Sequence, residues 1–216
     1  EVKRGLLNYD RKASRTLFDA LRGFDPGPAQ PVRAPAGAPV PIFIVGMHRS
    51  GTTLLERVLG NHSQVAAGGE LYDFPAQLRW ALGRHFSGPS DAEVVAKAPE
   101  IDFPLLGLRY LDQVAWRAEG KPFIVDKLPS NFLNIGFIRR AMPQAKILHI
   151  TRDPMDTCFS NLKELFSAAC PYSYDQGELA APTVYNGVIY AINGKWTFAI
   201  DVETGKQIWR TVVEPE

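Results

Sequence analysis

The chain has 216 residues, of which 45% are hydrophobic and 22% charged, and its formal net charge is +1. This length and composition exclude a disulfide-stapled miniprotein, a disordered chain and a coiled coil, because a core of ordinary size can form. The near-neutral balance argues against binding nucleic acid through a general basic excess. No apolar run reaches the length of about 18 residues that a membrane span needs, so no span is expected.

The first 41 residues divide into a helical segment and a linker. Residues 1–24 mix apolar and basic side chains, which is typical of an amphipathic helix, or a helix pair, that packs on another part of the protein. Residues 25–41 hold six prolines. Because proline removes an amide donor and blocks both helices and central strands, this segment is predicted to be a linker.

An α/β pattern follows the linker. Residues 42–45, 123–125 and 146–150 are rich in apolar side chains, as expected for strands buried in a parallel sheet. A helix is predicted over 132–142, and Pro154 stands where another helix begins. Strands that alternate with helices predict an α/β fold in which helices flank a parallel sheet.

The pattern changes near residue 180. Four short β-type runs follow, separated by Asn-Gly and Thr-Gly turn signals, at residues 183–185, 188–192, 196–200 and 207–212. They predict a short antiparallel β-meander. Parallel α/β units and antiparallel meanders rarely occur together within one small domain. We therefore place a domain boundary near residue 180, between an α/β domain over 42–180 and a β segment over 181–216.

One candidate binding loop directly follows the first strand. Glycines at both ends let the backbone wrap around an anion, and the start of the next helix directs amides at it. The loop lacks the final Lys of the P-loop GxxxxGK[ST], which argues against a magnesium-dependent ATPase. The loop therefore predicts a binding site for a phosphate-like anion, next to a parallel sheet like that of P-loop proteins. The loop reads Gly46-Met47-His48-Arg49-Ser50-Gly51-Thr52-Thr53.

A second candidate site follows the third predicted strand. Arg152 stands at the carboxyl end of that strand, which is where ligands bind in open α/β sheets. Ser160 lies on the following helix, off its apolar stripe, and together the two side chains could hold a second phosphate. The commonplace alternative for the Arg-Asp-Pro sequence is a helix-capping salt bridge.

These motifs, together with GGEL at 68–71 and DKLP at 126–129, resemble those of sulfotransferases that use 3′-phosphoadenosine 5′-phosphosulfate (PAPS). The similarity covers roughly residues 1–180 and is greatest to bacterial proteins similar to tyrosylprotein sulfotransferases. It implies that Glu70 is the general base and that Lys127 steadies the moving sulfuryl group; in isolation each would be an ordinary surface charge. It also implies a 3′-phosphate site at Arg152 and Ser160, and a 5′-phosphosulfate site at Arg49, Ser50, Gly51, Thr52 and Thr53.

Two histidines near the first loop are interpreted as structural. His48 stands where the sulfotransferase family often has Pro, and His62 follows the next helix. Because PAPS carries its own good leaving group, the resemblance implies a reaction that requires no metal.

Residues 181–216 resemble one repeat of the β-propeller of pyrroloquinoline-quinone dehydrogenases, through APTVYNGVIYAINGKWTFAIDVETGKQIWR. One blade cannot close a propeller, and the calcium and quinone ligands of that family are not identifiable, so no quinone cofactor is expected. The later helices and strand of a complete sulfotransferase do not follow residue 175. We therefore expect a C-terminally truncated sulfotransferase domain with impaired turnover.

The leading hypothesis is sulfuryl transfer from PAPS, which leaves PAP, to a hydroxyl group of a small molecule or peptide. A P-loop kinase or NTPase is the second hypothesis, and a non-catalytic hybrid with an interaction module is the third. The sulfotransferase resemblance suits the cytoplasm, whereas the propeller resemblance would suit the periplasm.

Overall fold

The computed structural model describes residues 10–28, 34–163 and 183–212, the last with gaps at 186–187, 194–195, 202–203 and 205. The chain divides into two compact units, one of residues 11–152 and one of residues 153–216 with 1–10. The first holds a parallel sheet with its helices, and the second holds an antiparallel sheet and one further described helix.

The sheet of the first unit is parallel throughout, in the order β2-β3-β1-β4. Apolar residues run along the central strand β1, which pairs with β3 on one side and β4 on the other. The predicted α/β class, with helices flanking a parallel sheet, is confirmed. The strands are β1 Val40–Gly46, β2 Val65–Ala67, β3 Phe123–Asp126 and β4 Lys146–Ile150.

Helices connect these strands. Two of them begin at an aspartate whose carboxylate accepts a hydrogen bond from a first-turn amide: Asp91 from Val94 and Asp102 from Leu105, each at 2.9 Å. The α-helices are α1 Arg11–Arg22, α2 Thr52–Gly60, α3 Asp73–Ala81, α4 Ala92–Ala96, α5 Phe103–Ala115 and α6 Ile135–Ala141. Short 3-10 helices cover Ala98–Glu100, Trp116–Ala118 and Pro129–Asn134.

The strands β1 and β3 are mostly buried on both faces, whereas β4, which was also predicted to be buried, is only partly covered, with Lys146 and His149 exposed. Side chains alternate along β1, so Phe43 contributes to one apolar cluster and Ile44 to another. The Phe43 cluster is the larger and includes residues of α3, α5 and α6, with the Phe43 and Tyr110 rings 5.5 Å apart. The Ile44 cluster is covered by Leu55 and Leu59 of α2. This packing fixes the strand ends that carry the candidate site.

Several boundaries differ from those predicted. The helix predicted over 132–142 is a 3-10 segment followed by α6, and β1 begins at Val40, inside the predicted linker. Pro41 is tolerated in a central strand because β1 begins to pair with β4 only at Ile42. The strand β2 and the helices α3 to α5 were not among the predicted elements. Residues 1–9 of the predicted N-terminal helical segment lie outside the described residues.

The second unit contains the predicted antiparallel meander, in the order β5-β6-β7-β8. Near its last turn, Oδ1 of Asp201 accepts hydrogen bonds from the amide of Thr204 at 2.7 Å and from its hydroxyl at 2.6 Å. The elements are α7 Pro154–Lys163, β5 Thr183–Tyr185, β6 Val188–Asn193, β7 Trp196–Asp201 and β8 Gln207–Val212.

Among the described residues, no helix combines the length and the apolar character needed to cross a membrane.

Candidate functional site

The predicted motifs of the first unit follow the carboxyl ends of its four parallel strands. The anion loop follows β1, the segment Gly68–Glu70 follows β2, Lys127 follows β3 and Arg152 stands two residues beyond β4. Because parallel strands all end at the same edge of the sheet, the topology gathers these segments there. Ligands of open α/β sheets bind at this edge.

The anion loop makes a tight turn between β1 and α2. Arg49 has φ 70° and Gly51 has φ 107°, and the amide of Ser50 donates to the carbonyl of Met47 at 3.2 Å. α2 begins at Thr52, so the first amides of this helix have no acceptor within it. The helix dipole adds positive potential at the same end, and the loop is therefore suited to an anion.

Two features of the loop fit a bound oxyanion. Ser50 is only 7% exposed, and among the described residues its Oγ has no hydrogen-bond partner, so a hydroxyl donor is left for a ligand. A Cβ at Gly46 would lie 2.5 Å from the carbonyl oxygen of Ile150 and 3.0 Å from Oγ of Ser50. Glycine at position 46 therefore allows the loop to close against the end of β4.

Arg152 is joined directly to the anion loop. Its Nη1 donates to the carbonyl of Arg49 at 3.3 Å, across 103 residues of sequence. Both arginines have exposed side chains, so two cations lie at the same edge of the sheet. Thr52 is buried and Thr53 is exposed at the start of α2.

Glu70 and Lys127 form an ion pair. Nζ of Lys127 lies 2.7 Å from Oε1 of Glu70, and the side chain of Lys127 is 7% exposed whereas that of Glu70 is 47% exposed. Backbone bonds fix this arrangement, because the amide of Gly68 donates to Val125 and the amide of Lys127 donates to Gly69, each at 2.9 Å. The pair places an accessible carboxylate against a nearly buried ammonium group.

A second carboxylate, which the sequence analysis did not single out, contacts the same lysine. Glu56 of α2 is 8% exposed; its Oε1 accepts a 2.8 Å hydrogen bond from the amide of Gly69, and its Oε2 lies 3.9 Å from Nζ of Lys127. The sequence could have indicated Glu56, because it stands four residues after Thr52. That spacing places its carboxylate on the same face of α2 as Thr52, the first residue of this helix after the anion loop.

A buried acid stands immediately before Lys127 in the sequence. Asp126 is fully buried, and its Oδ2 accepts a 2.8 Å hydrogen bond from the hydroxyl of Tyr110, which is also fully buried. Burial raises the pKa of Asp126 to about 8, with the Tyr110 bond opposing the shift, so this acid is protonated at neutral pH. Burial, together with Asp126, raises the pKa of Tyr110 well above its ordinary value.

The two histidines differ in their surroundings. His62 is exposed, and its Nδ1 accepts a 3.2 Å hydrogen bond from the amide of Gln64. His48 is half-buried, and burial lowers its pKa below the ordinary value, while Glu70 opposes this shift and Lys127 adds to it. The anion loop therefore lies within electrostatic range of the Glu70–Lys127 pair.

Ser160 belongs to the second unit, where it lies on α7 and is half-buried. This helix begins with a side-chain cap, because Oδ1 of Asp153 accepts hydrogen bonds from the amides of Met155 at 2.9 Å and Asp156 at 3.2 Å. The alternative interpretation of the Arg-Asp-Pro sequence was a helix-capping salt bridge; the cap described here consists of hydrogen bonds from backbone amides to Asp153.

No group of three or more His, Cys, Asp or Glu side chains within the part of the chain that the structure describes is arranged to hold a metal ion.

Comparison with known proteins gives a family match over most of the chain. Residues 41–197 match the model described as the sulfotransferase family. An uncharacterized protein of Aquifex aeolicus is 35% identical over 182 residues, which covers 78% of this chain and 23% of that protein. The protein-tyrosine sulfotransferases 1 of mouse and human are each 28% identical over 116 residues, which covers 52% of this chain and 31% of theirs. The alignments thus span less than a third of each of these three relatives.

Proposed function

Because the chain belongs to the sulfotransferase family, we propose that it transfers a sulfuryl group from PAPS to a hydroxyl acceptor and releases PAP. The observation that carries this proposal is the 2.7 Å contact between Glu70 and Lys127, next to a loop suited to an anion. The alignment with proteins named protein-tyrosine sulfotransferase 1 supports the same chemistry.

In this proposal the anion loop binds the donor's phosphosulfate. Arg49 supplies a cation, and the first amides of α2 supply hydrogen-bond donors. The hydroxyl of Ser50, which has no hydrogen-bond partner within the described part of the chain, supplies another donor. We assign Gly51, Thr52 and Thr53 to the same site. Arg152, whose Nη1 donates to the carbonyl of Arg49 in the loop, would contact the 3′-phosphate.

Glu70 acts as the base in this scheme. Its carboxylate takes the proton of the acceptor hydroxyl while the acceptor oxygen bonds to sulfur. The bond between sulfur and the bridging phosphate oxygen breaks, and its electron pair stays on PAP. At 47% exposure, the Glu70 side chain can be reached by an acceptor.

Lys127 stabilises charge in this scheme. Transfers of this type depend mainly on positioning and on charges aimed at the reacting group. The ammonium group of Lys127 is nearly buried, so its field is weakly screened by water. We propose that it offsets the negative charge that develops on the bridging oxygen.

The test is transfer of label from ³⁵S-PAPS to acceptors, with tyrosine-containing peptides and small phenols as the panel. We expect a labelled product from the native chain and a large loss with Glu70→Gln. Magnesium-ATP serves as the competing donor. Binding of magnesium-ATP with no binding of PAP would contradict the proposal and favour a kinase or NTPase.

For the meander of residues 183–212 we propose a structural role, as a single repeat of the propeller type. The four-stranded antiparallel order and the Asp201–Thr204 turn support this interpretation. A chain that ends before residue 181 should then keep its affinity for PAP. Loss of that affinity from a folded shortened chain would assign the meander to the donor site instead.

A further inference from the structure

We propose that Glu56 is a positioning residue for the transfer step, which keeps Lys127 charged and in place while Glu70 becomes neutral. This inference rests on the proposed function, in which Glu70 accepts the acceptor's proton.

Glu56 makes two contacts that suit this role. Its Oε1 accepts a 2.8 Å hydrogen bond from the amide of Gly69, the residue before Glu70, and its Oε2 lies 3.9 Å from Nζ of Lys127. The Glu56 side chain is 11% exposed, compared with 47% for Glu70. Of the two carboxylates at Lys127, Glu70 therefore faces solvent, and Glu56 is enclosed and fixed.

The charge balance at Lys127 explains why two carboxylates are needed. When Glu70 takes up a proton, it loses the negative charge that faces Nζ at 2.7 Å. The Lys127 side chain is only 7% exposed, and an ammonium group so enclosed is costly without a counter-charge. The carboxylate of Glu56, whose Oε2 lies 3.9 Å from Nζ, supplies that counter-charge in this step. Lys127 thus keeps its own charge for the transferring group.

Glu56 also connects the two halves of the site. It lies on α2, which starts at the anion loop, and it hydrogen-bonds the segment Gly68–Glu70 that follows β2. Through this one side chain, the helix that begins at the anion loop is tied to the turn that carries the proposed base.

The direct test is the rate of Glu56→Gln. Glutamine retains an oxygen for the amide of Gly69 but removes the charge facing Lys127. We expect kcat to fall roughly 10- to 100-fold, as when a group that orients a reacting side chain is lost. Affinity for PAP should stay within about twofold, because the Gly69 contact survives. Glu56→Asp should recover part of kcat, and Glu100→Gln, at an exposed site, is the matched control.

A second measurement does not depend on turnover. In Glu56→Gln or in Glu70→Gln one carboxylate remains at Lys127, whereas the double variant leaves none. We expect the double variant to lower the melting temperature by clearly more than the two single shifts combined. Lys127→Met should abolish this excess, because it removes the charge that both carboxylates balance.

The outcomes separate this inference from the proposed function. If the melting shifts of the two single variants simply add in the double variant, the role of Glu56 is overturned. The same follows if the native chain is active and Glu56→Gln has the same kcat. Both results would leave the proposed sulfuryl transfer unaffected. A folded native chain that transfers no sulfuryl group, with non-additive melting shifts, would refute the proposed reaction while keeping Glu56 as the counter-charge of Lys127. A kcat loss matched by equal loss of PAP affinity would reduce Glu56 to a structural contact.

Discussion

The hydroxyl of Tyr110 lies 2.8 Å from Oδ2 of Asp126, and both side chains are fully buried. The residue that follows Asp126 is Lys127. This buried pair therefore anchors the backbone from which the proposed catalytic lysine projects. With its pKa raised to about 8 by burial, Asp126 is a protonated acid in the folded protein at neutral pH.

The buried acid predicts an unusual pH dependence of stability. The unfolded chain releases the Asp126 proton near its ordinary pKa of 3.8, whereas the folded chain holds it up to about pH 8. The unfolded state therefore binds fewer protons, and the Asp126 contribution to the free energy of unfolding falls as pH rises between these values. The slope approaches about 1.4 kcal/mol per pH unit, and the contribution is level above pH 8.

Asp126→Asn isolates that contribution. The amide carbonyl still accepts the Tyr110 bond but carries no titrating proton. We expect urea unfolding of this variant to lose the Asp126 slope, so that its stability relative to the native chain increases steadily from pH 4 to pH 8. A constant stability difference between the two proteins over this range would contradict a raised pKa at Asp126.

The two arginines at the sheet edge should each contribute to donor binding. Arg49→Ala and Arg152→Ala each remove a charge-assisted contact to phosphate or sulfate, and we expect PAP affinity to fall about 10- to 100-fold in each. Calorimetric titration measures this, with circular dichroism to verify folding. Arg139→Ala removes an exposed arginine of α6 and should bind like the native chain. Equal affinity in all four proteins would show that PAP does not bind here.

Glu70→Gln should separate catalysis from donor binding. The side chain keeps its size and a hydrogen-bond acceptor for Lys127 but cannot take a proton. Loss of a positioned base typically costs about 10²- to 10⁴-fold in rate, and we expect kcat to fall in that range with PAP affinity nearly unchanged. Single-turnover transfer of ³⁵S measures the rate. A variant with native kcat would remove Glu70 from the mechanism.

Gly46→Ala should disturb the anion loop through a steric clash. The new Cβ would lie 2.5 Å from the carbonyl oxygen of Ile150, so the end of β1 must move away from β4. We expect a melting temperature several degrees lower, together with weaker PAP binding. Gly23→Ala is the matched control, because there the nearest atom to a new Cβ is 3.8 Å away. Its melting temperature should be native or slightly higher.

The sequence predicted three strands of the parallel sheet because each is a run rich in apolar residues. Lys146–Ile150 has the predicted bounds, and Phe123–Asp126 extends one residue further. The strand Val65–Ala67 was missed, since three small residues hold too little periodicity to be recognised. The apolar spacing of Phe103, Leu106 and Tyr110 does carry a helical signal for α5, which the sequence analysis did not use.

The candidate site was predictable only where a contiguous motif carried it. The anion loop and the segment that ends at Glu70 are local patterns, so their residues could be named in advance. The bonds from Glu56 to Gly69 and from Tyr110 to Asp126 join different elements, at separations of 13 and 16 residues. Such contacts are set by how α2 and α5 pack on the sheet, and no local spacing specifies that.

The position of β1 between β3 and β4 has a consequence for how the protein reaches this state. Ile42 pairs with both Val125 and Lys146. Both partners are synthesised more than 80 residues after Ile42, so β1 cannot pair within the sheet until they have been made. Closing such long loops costs entropy before any contact is gained, which slows folding. During translation the emerged β1 would remain an unpaired apolar strand, open to aggregation, until β3 and β4 leave the ribosome. The capacity to bind an anion is therefore acquired late, when the strands on both sides of β1 are in place.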